Sequence, residues 1–318
     1  MSSAIILFIF GFILLLKGAD ILTDAAAEIA KELKISNFIV GVVVIGFGTS
    51  IPELIITVLS NIKEAEPVGI GTIVGSNTFN LLFILGVAAL IAPISLSKGK
   101  IWKHLPWNLG AVILVGLLLV PGLGYLELSR LEGLLLLGVF FVWLGYLRAV
   151  NKGIPEDRPE NRGKTRPRFE NAALIIAGLI GIIVGGSWVT EGAVRFAAWA
   201  GIGEATIGLT IVAIGTSLPE LFASAVAAWK RNIGIAVGNV IGSNIFDFLM
   251  IFGVASAMKP IRFTPLLSMD LWMTALASAL LFVALAIGKK QTLGKTWGVC
   301  FILLYGAYLA YIFLLRSS

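Results

Sequence analysis

The hexapeptide Gly48-Thr49-Ser50-Ile51-Pro52-Glu53 recurs as Gly215-Thr216-Ser217-Leu218-Pro219-Glu220, displaced by 167 residues, and each copy puts a glutamate inside a long apolar stretch. The same displacement carries Gly75-Ser76-Asn77 onto Gly242-Ser243-Asn244 and Asn80 onto Asp247, and residues 11 to 94 align without a gap. A charged side chain at the centre of a membrane span costs roughly 2.5 to 3.5 kcal/mol on insertion scales, so such residues are rare and usually functional. The repeat therefore marks two glutamates as candidates for function.

The composition is that of a polytopic membrane protein. The 318 residues are 58% hydrophobic and 13% charged, with a mean hydropathy of +0.97, whereas about a quarter of the residues in soluble domains are charged. Ten stretches reach the ~20 residues that are needed to span ~30 Å of hydrocarbon. We therefore predict an all-α fold with ten transmembrane helices, near 4–29, 36–61, 68–92, 106–122, 129–149, 171–199, 203–228, 233–257, 268–288 and 296–315.

The basic residues predict how the chain is oriented. If the N-terminus is outside, the inward loops carry 17 Lys and Arg residues and the outward side carries 6. The positive-inside rule then places both termini outside and the central loop 151–170 in the cytoplasm, with the plasma membrane as the expected location. Topology accounts for the basic excess, so we expect no nucleic-acid partner. His104 lies in a basic interfacial stretch and is predicted to be a surface residue, not a metal ligand.

The polar segment 151–170, which contains Pro155 and Pro159, divides the chain. It is interpreted as a cytoplasmic linker between two five-helix repeats, residues 1–150 and 171–318. Because five is odd, the second repeat must enter the membrane from the opposite side. Inverted repeats with interrupted helices are typical of secondary transporters. Duplication by fold history alone is the alternative, but it does not explain why the polar residues cluster at matching places.

The spacing predicts that four polar side chains meet near the centre of the membrane. Glu53 and Asn80 are 27 residues apart, as are Glu220 and Asp247, and a polar loop lies about halfway between the members of each pair. Ten helical residues rise ~15 Å, which is half the hydrocarbon thickness. Both members of each pair therefore reach the midplane on antiparallel helices.

Prolines and glycines predict where the helices are interrupted. Pro52 and Pro219 lack a backbone donor and clash with the preceding turn, and Gly48 and Gly215 add flexibility. The two Gly-Ser-Asn triplets are expected to interrupt the partner helices in the same way. The freed carbonyls of Gly46 and Ala213 become candidate ligands.

The resulting site contains only oxygen ligands. Carboxylate, hydroxyl, amide and carbonyl oxygens suit hard cations such as Ca²⁺ and Na⁺, whereas Zn²⁺ and Cu⁺ prefer the nitrogen and sulfur ligands that are missing from these motifs. A single Ser or Thr in a membrane helix is equally often structural, and Asn77 and Asn244 are expected to brace the helices. No basic residue is available in the neighbouring core to pair with Glu53 or Glu220.

These motifs resemble the two alpha-repeats of the sodium/calcium exchangers, within the cation/calcium antiporter superfamily. The resemblance covers residues 36–94 and 203–261 closely, and it implies four cation subsites at the midplane. It implies that Glu53 and Glu220 bind Ca²⁺ with the carbonyls of Thr49 and Thr216. The implied sodium sites are completed by Ser50, Ser76, Ser217, Ser243, Asn80, Asp247 and the carbonyls of Gly46 and Ala213. The chain departs from the usual pattern at Thr72, where many relatives have the asparagine found here at Asn239, and at Gly46, which is often alanine.

The leading hypothesis is a Na⁺/Ca²⁺ antiporter that works by alternating access. An empty ionised site is too costly to carry across a low-dielectric barrier, so only a filled site should alternate. The resemblance implies three Na⁺ per Ca²⁺, and helices one and six are the expected sliding gate. A H⁺/Ca²⁺ antiporter on the same fold is the alternative, and a cation channel is a more distant one. We expect no enzymatic activity, no cofactor beyond the transported Ca²⁺ and Na⁺, and no obligatory protein partner besides the lipid bilayer.

Overall fold

The structure is a computed structural model that describes residues 2–95, 100–119, 126–150, 166–199, 213–287 and 292–316. The described part is almost entirely helical, as predicted, with only four two-residue strands. Residues 151–165, which form most of the predicted linker, lie outside it. The division into two repeats and a linker therefore stays a prediction.

The first half contains six helices and two short strands. Their bounds are α1 Ser2–Leu33, α2 Asn37–Thr49, α3 Ile51–Ile62, α4 Glu66–Ile91, β1 Ile94–Ser95, α5 Leu105–Leu118, β2 Glu127–Leu128 and α6 Arg130–Val150. A 3₁₀ turn at Lys100–His104 leads into α5, and π-helical segments interrupt α2 at Gly41–Gly46 and α4 at Asn80–Ile84.

The second half repeats this order. Its elements are α7 Arg168–Trp199, α8 Ala213–Gly215, α9 Leu218–Trp229, α10 Ile233–Met258, β3 Ile261–Arg262, α11 Pro265–Ile287, β4 Thr292–Leu293 and α12 Lys295–Arg316. A π-helical segment interrupts α10 at Phe246–Ile251, near the position that corresponds to the one in α4.

Seven described helices are long and apolar enough to cross a membrane: α1, α4, α6, α7, α10, α11 and α12. The pair α2 and α3, which is bent by 43°, would make an eighth span. The two other predicted spans correspond to α5 and α9, and both adjoin residues outside the described part. The chain is thus a helical protein with several membrane spans, and the number ten remains a prediction.

Helices α1 and α7 pack against each other along their whole length in opposite directions. Glycines allow this contact, because a Cβ at Gly18 would lie 2.8 Å from the backbone nitrogen of Ile182 and one at Gly185 would lie 2.7 Å from that of Leu15. Small residues at helix interfaces in membranes let the backbones approach closely. The glycines that the repeat carries from α1 onto α7 therefore serve packing.

The short strands link the two halves. Strand β1 pairs with β4, and β3 pairs with β2, each in antiparallel fashion. Strands β1 and β3 occupy equivalent positions in the two halves. The first strand of each half therefore pairs with the second strand of the other half. The turn residues Glu64 and Arg231, also equivalent, both have positive φ, at 59° and 63°.

Charged residues form two separate groups. Lys230 bridges Asp20 at 2.6 Å and Asp24 at 2.8 Å, on the side predicted to face the cytoplasm. On the other side, Lys259 bridges Glu64 at 3.0 Å and Arg262 bridges Glu127 at 3.1 Å. No ion pair in the described ranges joins the two groups, which agrees with the grouping of loops made from the sequence.

The prediction that His104 is a surface residue is wrong. His104 is fully buried, with its ring stacked on Phe38 at a centroid distance of 4.8 Å and edge-on to Tyr146 at 5.7 Å. The start of α5 is packed between α2 and α6, a contact that loop composition does not reveal. Burial, together with the charge of Lys103, lowers the pKa of His104 to about 4.

Candidate cation site

Each of the two repeated hexapeptides contains a helix break. The axis bends by 43° where α2 ends and α3 begins, at Ser50, and Thr216 and Ser217 form the turn between α8 and α9. Pro52 and Pro219 lie in the first turns of α3 and α9, where a missing N–H costs no helical hydrogen bond. The predicted interruptions are therefore present, two or three residues before the prolines.

Gly48 and Gly215 lie next to these breaks and provide space for α7. A Cβ at Gly48 would lie 2.7 Å from Leu179, and one at Gly215 would lie 2.2 Å from the hydroxyl of Thr190. Helix α7 thus passes close to both breaks. The glycines act here by permitting close packing as well as by loosening the chain.

The Gly-Ser-Asn triplets do not interrupt their helices, and this part of the prediction is wrong. Both triplets lie in regular α-helix, within Glu66–Phe79 and Ile233–Ile245. The irregular turns come just after them: Asn80 begins one π-helical segment and Asp247 is the second residue of the other. Such π turns are rare and frequently occur at functional sites.

The three acidic side chains of the site are buried side by side. Glu53 and Asp247 are 1% exposed and Glu220 is 2% exposed. They are close enough for their negative charges to repel one another. No ion pair in the described part of the chain involves any of them, so an ionised site needs positive charge from elsewhere.

Two asparagines of the first half hold an acidic group and an amide group of the second half. Asn77 donates from Nδ2 to Asp247 Oδ2 at 2.9 Å, and Asn80 donates from Nδ2 to Asn244 Oδ1 at 3.0 Å. These two bonds are equivalent under the 167-residue displacement. The structure thus brings Asn80 and Asp247 together, and Asn77 and Asn244 brace the helices as expected.

Hydroxyl and carbonyl groups complete the cluster. The Gly46 carbonyl accepts hydrogen bonds from Thr49 Oγ1 at 3.2 Å and Ser243 Oγ at 3.1 Å. Ser50 and Ser76 lie beside Asp247, and Thr49 lies beside Glu220. The buried Ser217 and the partly buried Thr216 precede α9. Ala213 directly follows residues outside the described part, so its carbonyl contact stays untested.

Several oxygen atoms at this site are buried and lack a hydrogen-bond partner. They are Ser50 Oγ, both carboxylate oxygens of Glu53, Asn77 Oδ1, Asn80 Oδ1, Ser217 Oγ, Glu220 Oε2 and Asp247 Oδ1. Buried polar atoms are normally paired, because an unpaired one carries the full cost of desolvation. Oxygen ligands without hydrogen-bond donors are what hard cations require.

Carboxylates alone do not form the site. Within the described residues, no three Asp, Glu, His or Cys side chains are arranged so that they could hold one metal ion. A cation bound here would therefore also need amide, hydroxyl and backbone oxygens. Such a mixed oxygen set is the one expected from the sequence, and it stays a prediction.

Asn239 and Asp270 are two of the buried polar residues that were not assigned to any site from the sequence. Asn239 is fully buried between Thr49 and Glu220, and its counterpart in the repeat is Thr72. Asp270 in α11 is 6% exposed and accepts from the Tyr308 hydroxyl at 3.3 Å, apart from the hexapeptides. The position of Asn239 within the repeat was a usable signal, whereas nothing in the sequence around Asp270 indicates its burial.

Comparison with known proteins agrees with this geometry. The sequence matches the family described as "Sodium/calcium exchanger protein" over residues 3–148 and 170–314. It is 33% identical to the putative antiporter CaxA of Alkalimonas amylolytica over 100% of both chains. It is 29% identical to the sodium/calcium exchanger MaX1 of Methanosarcina acetivorans, over 97% of this chain and 98% of that one.

The fold is also similar to that of a solved exchanger. The structure superimposes on the sodium-calcium exchanger NCX_Mj, soaked with zero Na⁺ and Ca²⁺, with a TM-score of 0.84 at 30% identity, covering 98% of this chain and 99% of that one. Family and fold support antiport of a cation against Ca²⁺, and they give the channel hypothesis no support. The chain belongs to the sodium/calcium exchanger family of membrane transporters.

Proposed function

We propose that this protein exchanges Na⁺ for Ca²⁺ through the site between the two hexapeptides. One observation carries the proposal: eight buried oxygen atoms without hydrogen-bond partners, five of them on Glu53, Glu220, Asp247 and Asn80, lie where the two halves meet. Bound cations would satisfy the seven of these oxygens that do not belong to Asn77 and would offset the repulsion between the carboxylates.

The proposed ligand set is the one that the family resemblance implies. Glu53 and Glu220 are the central Ca²⁺ ligands, with the carbonyls of Thr49 and Thr216. The Na⁺ sites share these ligands and are completed by Ser50, Ser76, Ser217, Ser243, Asn80, Asp247 and the carbonyls of Gly46 and Ala213. Ca²⁺ and Na⁺ are bound as cargo and share ligands, so they compete.

The charge of the site explains why exchange is favoured over leak. Three carboxylates without a basic partner cannot be moved through a low-dielectric barrier while empty and ionised. Either one Ca²⁺ or several Na⁺ offset the negative charge. A ratio of three Na⁺ to one Ca²⁺ would make each cycle electrogenic.

Alternating access would come from two inverted five-helix repeats with the site at the bilayer midplane. The antiparallel packing of α1 and α7 and the exchanged strand pairs support this arrangement. Helices α1 and α7 are the proposed sliding gate, because α7 passes both breaks and the two helices contact each other through glycines.

The proposed location is the plasma membrane, with both termini outside and the 151–170 loop in the cytoplasm. The excess of basic residues in the loops at 31–34, 98–103, 148–168, 230–231 and 289–295 supports this orientation. The ion pairs that group these loops on one side support it as well.

Calcium uptake into vesicles that contain the purified protein tests the coupling ion. Vesicles loaded with Na⁺ and diluted into Na⁺-free buffer should take up Ca²⁺, and uptake should stop when internal Na⁺ is replaced by choline. A matched set carries a pH gradient without Na⁺. Uptake that persists in choline and follows the pH gradient would overturn Na⁺ coupling and favour the H⁺/Ca²⁺ antiporter.

A further inference from the structure

Asn239 connects three elements around the cation site. Its Oδ1 accepts from Thr49 Oγ1 at 3.3 Å, at the end of α2. Its Nδ2 donates to the Glu220 carbonyl at 3.1 Å and to Ser224 Oγ at 2.8 Å, both in α9. The fully buried side-chain amide of Asn239 therefore joins the last residue of α2, in the first half, to the first turn of α9, in the second half.

The equivalent residue of the first half makes no such connection. Thr72 lies 167 residues earlier and donates its hydroxyl to the Val68 carbonyl, at 2.8 Å within its own helix. A threonine side chain is shorter than asparagine and cannot accept and donate at two separated atoms. Both carboxylate oxygens of Glu53 and Oε2 of Glu220 are buried without a hydrogen-bond partner.

The next hydrogen bond along each helix pair is the same in the two halves. Thr57 donates to the Gly69 carbonyl at 3.4 Å, and its equivalent Ser224 donates to the Ala236 carbonyl at 3.3 Å. The two helix pairs are thus held alike further from the site. The brace nearest the carboxylates is different in the two pairs.

We infer that Asn239 is a positioning residue that fixes Thr49 and the first turn of α9 for Ca²⁺ binding. Because Thr72 provides no such brace, Glu53 is the less rigidly held of the two glutamate ligands. This inference rests on the proposed function. A ligand held before the ion arrives loses less freedom on binding, so a brace raises affinity. A less rigidly held ligand releases the ion faster, so the absence of a brace favours turnover.

The test exchanges the two residues. In the Na⁺-driven vesicle assay, Asn239→Thr should raise the Ca²⁺ concentration for half-maximal uptake about tenfold, as expected for lost hydrogen bonds to a binding group, with the maximal rate kept. Thr72→Asn should lower that concentration and slow the maximal rate, each by about threefold, because Glu53 would gain the same brace. Each change moves the half-maximal concentration and the maximal rate differently, which a general loss of stability would not do.

Asn61→Thr is the matched control. Asn61 is a buried asparagine that also holds two carbonyls, those of Ala255 at 2.9 Å and Lys259 at 2.7 Å, but it lies at the far end of α3. This variant should lower thermal stability and leave the half-maximal Ca²⁺ concentration unchanged.

The outcomes separate this inference from the proposed function. Wild-type vesicles without Na⁺-driven uptake would overturn the proposed function. Normal wild-type uptake with an unchanged half-maximal concentration in Thr72→Asn, or in a folded Asn239→Thr, would overturn the inference. If Asn239→Thr does not fold, Thr72→Asn alone decides, since it adds a group and removes no buried bond.

Discussion

Helices α3 and α9 begin with nearly the same sequence, yet in the described part of the chain only α9 packs along α1, the long first helix, and α3 packs along neither α1 nor α7. Helix α1 packs along α9, and the ring of Phe12 meets that of Phe222 edge-on at 5.3 Å. Helix α7, the counterpart of α1, does not pack along α3 in the described part of the chain. Ile51 and Ile55 on α3 are accordingly 45% and 51% exposed.

Charged residues repeat this difference. Lys230, after α9, bridges Asp20 and Asp24 of α1. Its counterpart Lys63, after α3, forms no ion pair within the described ranges, and Glu191, the counterpart of Asp24, pairs with Arg195 on its own helix. Two equivalent halves thus occupy unequal surroundings in one conformation. Alternating access in inverted repeats exchanges such surroundings between the halves.

The largest expected effect tests the part that the halves share. Glu53→Gln and Glu220→Gln should each abolish Ca²⁺ uptake, because each replaces a negatively charged ligand of the same cation with a neutral one. Uptake into vesicles measures this, with Glu191→Gln on α7 as a control that should behave as wild type. Normal uptake in either site variant would mean that the halves do not form one site.

The next effect tests the one ligand pair that differs in charge, Asn80 and Asp247. Asp247→Asn should lower Na⁺-driven uptake at least about tenfold, since a charge-assisted contact is worth roughly 1.5 to 3 kcal/mol. The double variant Asn80→Asp with Asp247→Asn restores the charge in the other half and should recover part of the rate. A double variant as inactive as the single one would show that position matters more than total charge.

A smaller effect distinguishes His104 from Leu271, its buried counterpart in the second half. With a folded pKa of about 4, below the ordinary value of about 6.5, His104 binds protons more readily when unfolded. Stability is therefore lost as pH falls from 6.5 towards 4, by about 2 kcal/mol at pH 5. His104→Leu should remove this loss in thermal unfolding scans from pH 7.5 to 5. An unchanged pH slope would contradict it.

The smallest effect tests the ion pairs. Lys230→Ala should lower the thermal midpoint by about 2 to 4 °C, since a partly buried bridge is worth about 1 kcal/mol. Lys63→Ala should leave it unchanged within about 1 °C, because Lys63 has no partner among the described residues to lose. Equal shifts of the thermal midpoint in the two variants would show that the ion pairs of Lys230 do not distinguish the surroundings of α9 from those of α3.

Much of this arrangement could be predicted from the repeat. The offset that aligns the hexapeptides also pairs Asn77 with Asn244 and Asn80 with Asp247, and these four side chains form the two cross-half hydrogen bonds. Helix breaks follow from local chemistry, since proline is favoured in a first turn. Such features depend on neighbours in sequence or on the symmetry between copies.

The remainder depends on contacts that neither spacing nor symmetry reveals. The Gly-Ser-Asn triplets stay helical because a π-helical turn absorbs the irregularity just after them. His104 is buried by Phe38 and Tyr146, which lie far away in sequence. Asn239 and Thr72 differ in role although their positions are equivalent, because the side chains differ in reach.

Equilibrium Ca²⁺ binding to the purified protein, measured at increasing Na⁺, tests the central claim that both halves form one site shared by the two cations. We expect one Ca²⁺ to bind per chain and to be displaced completely and cooperatively by Na⁺. Glu53→Gln and Glu220→Gln should each eliminate the binding. Ca²⁺ that stays bound at saturating Na⁺, or binding retained when either glutamate is replaced, would contradict it.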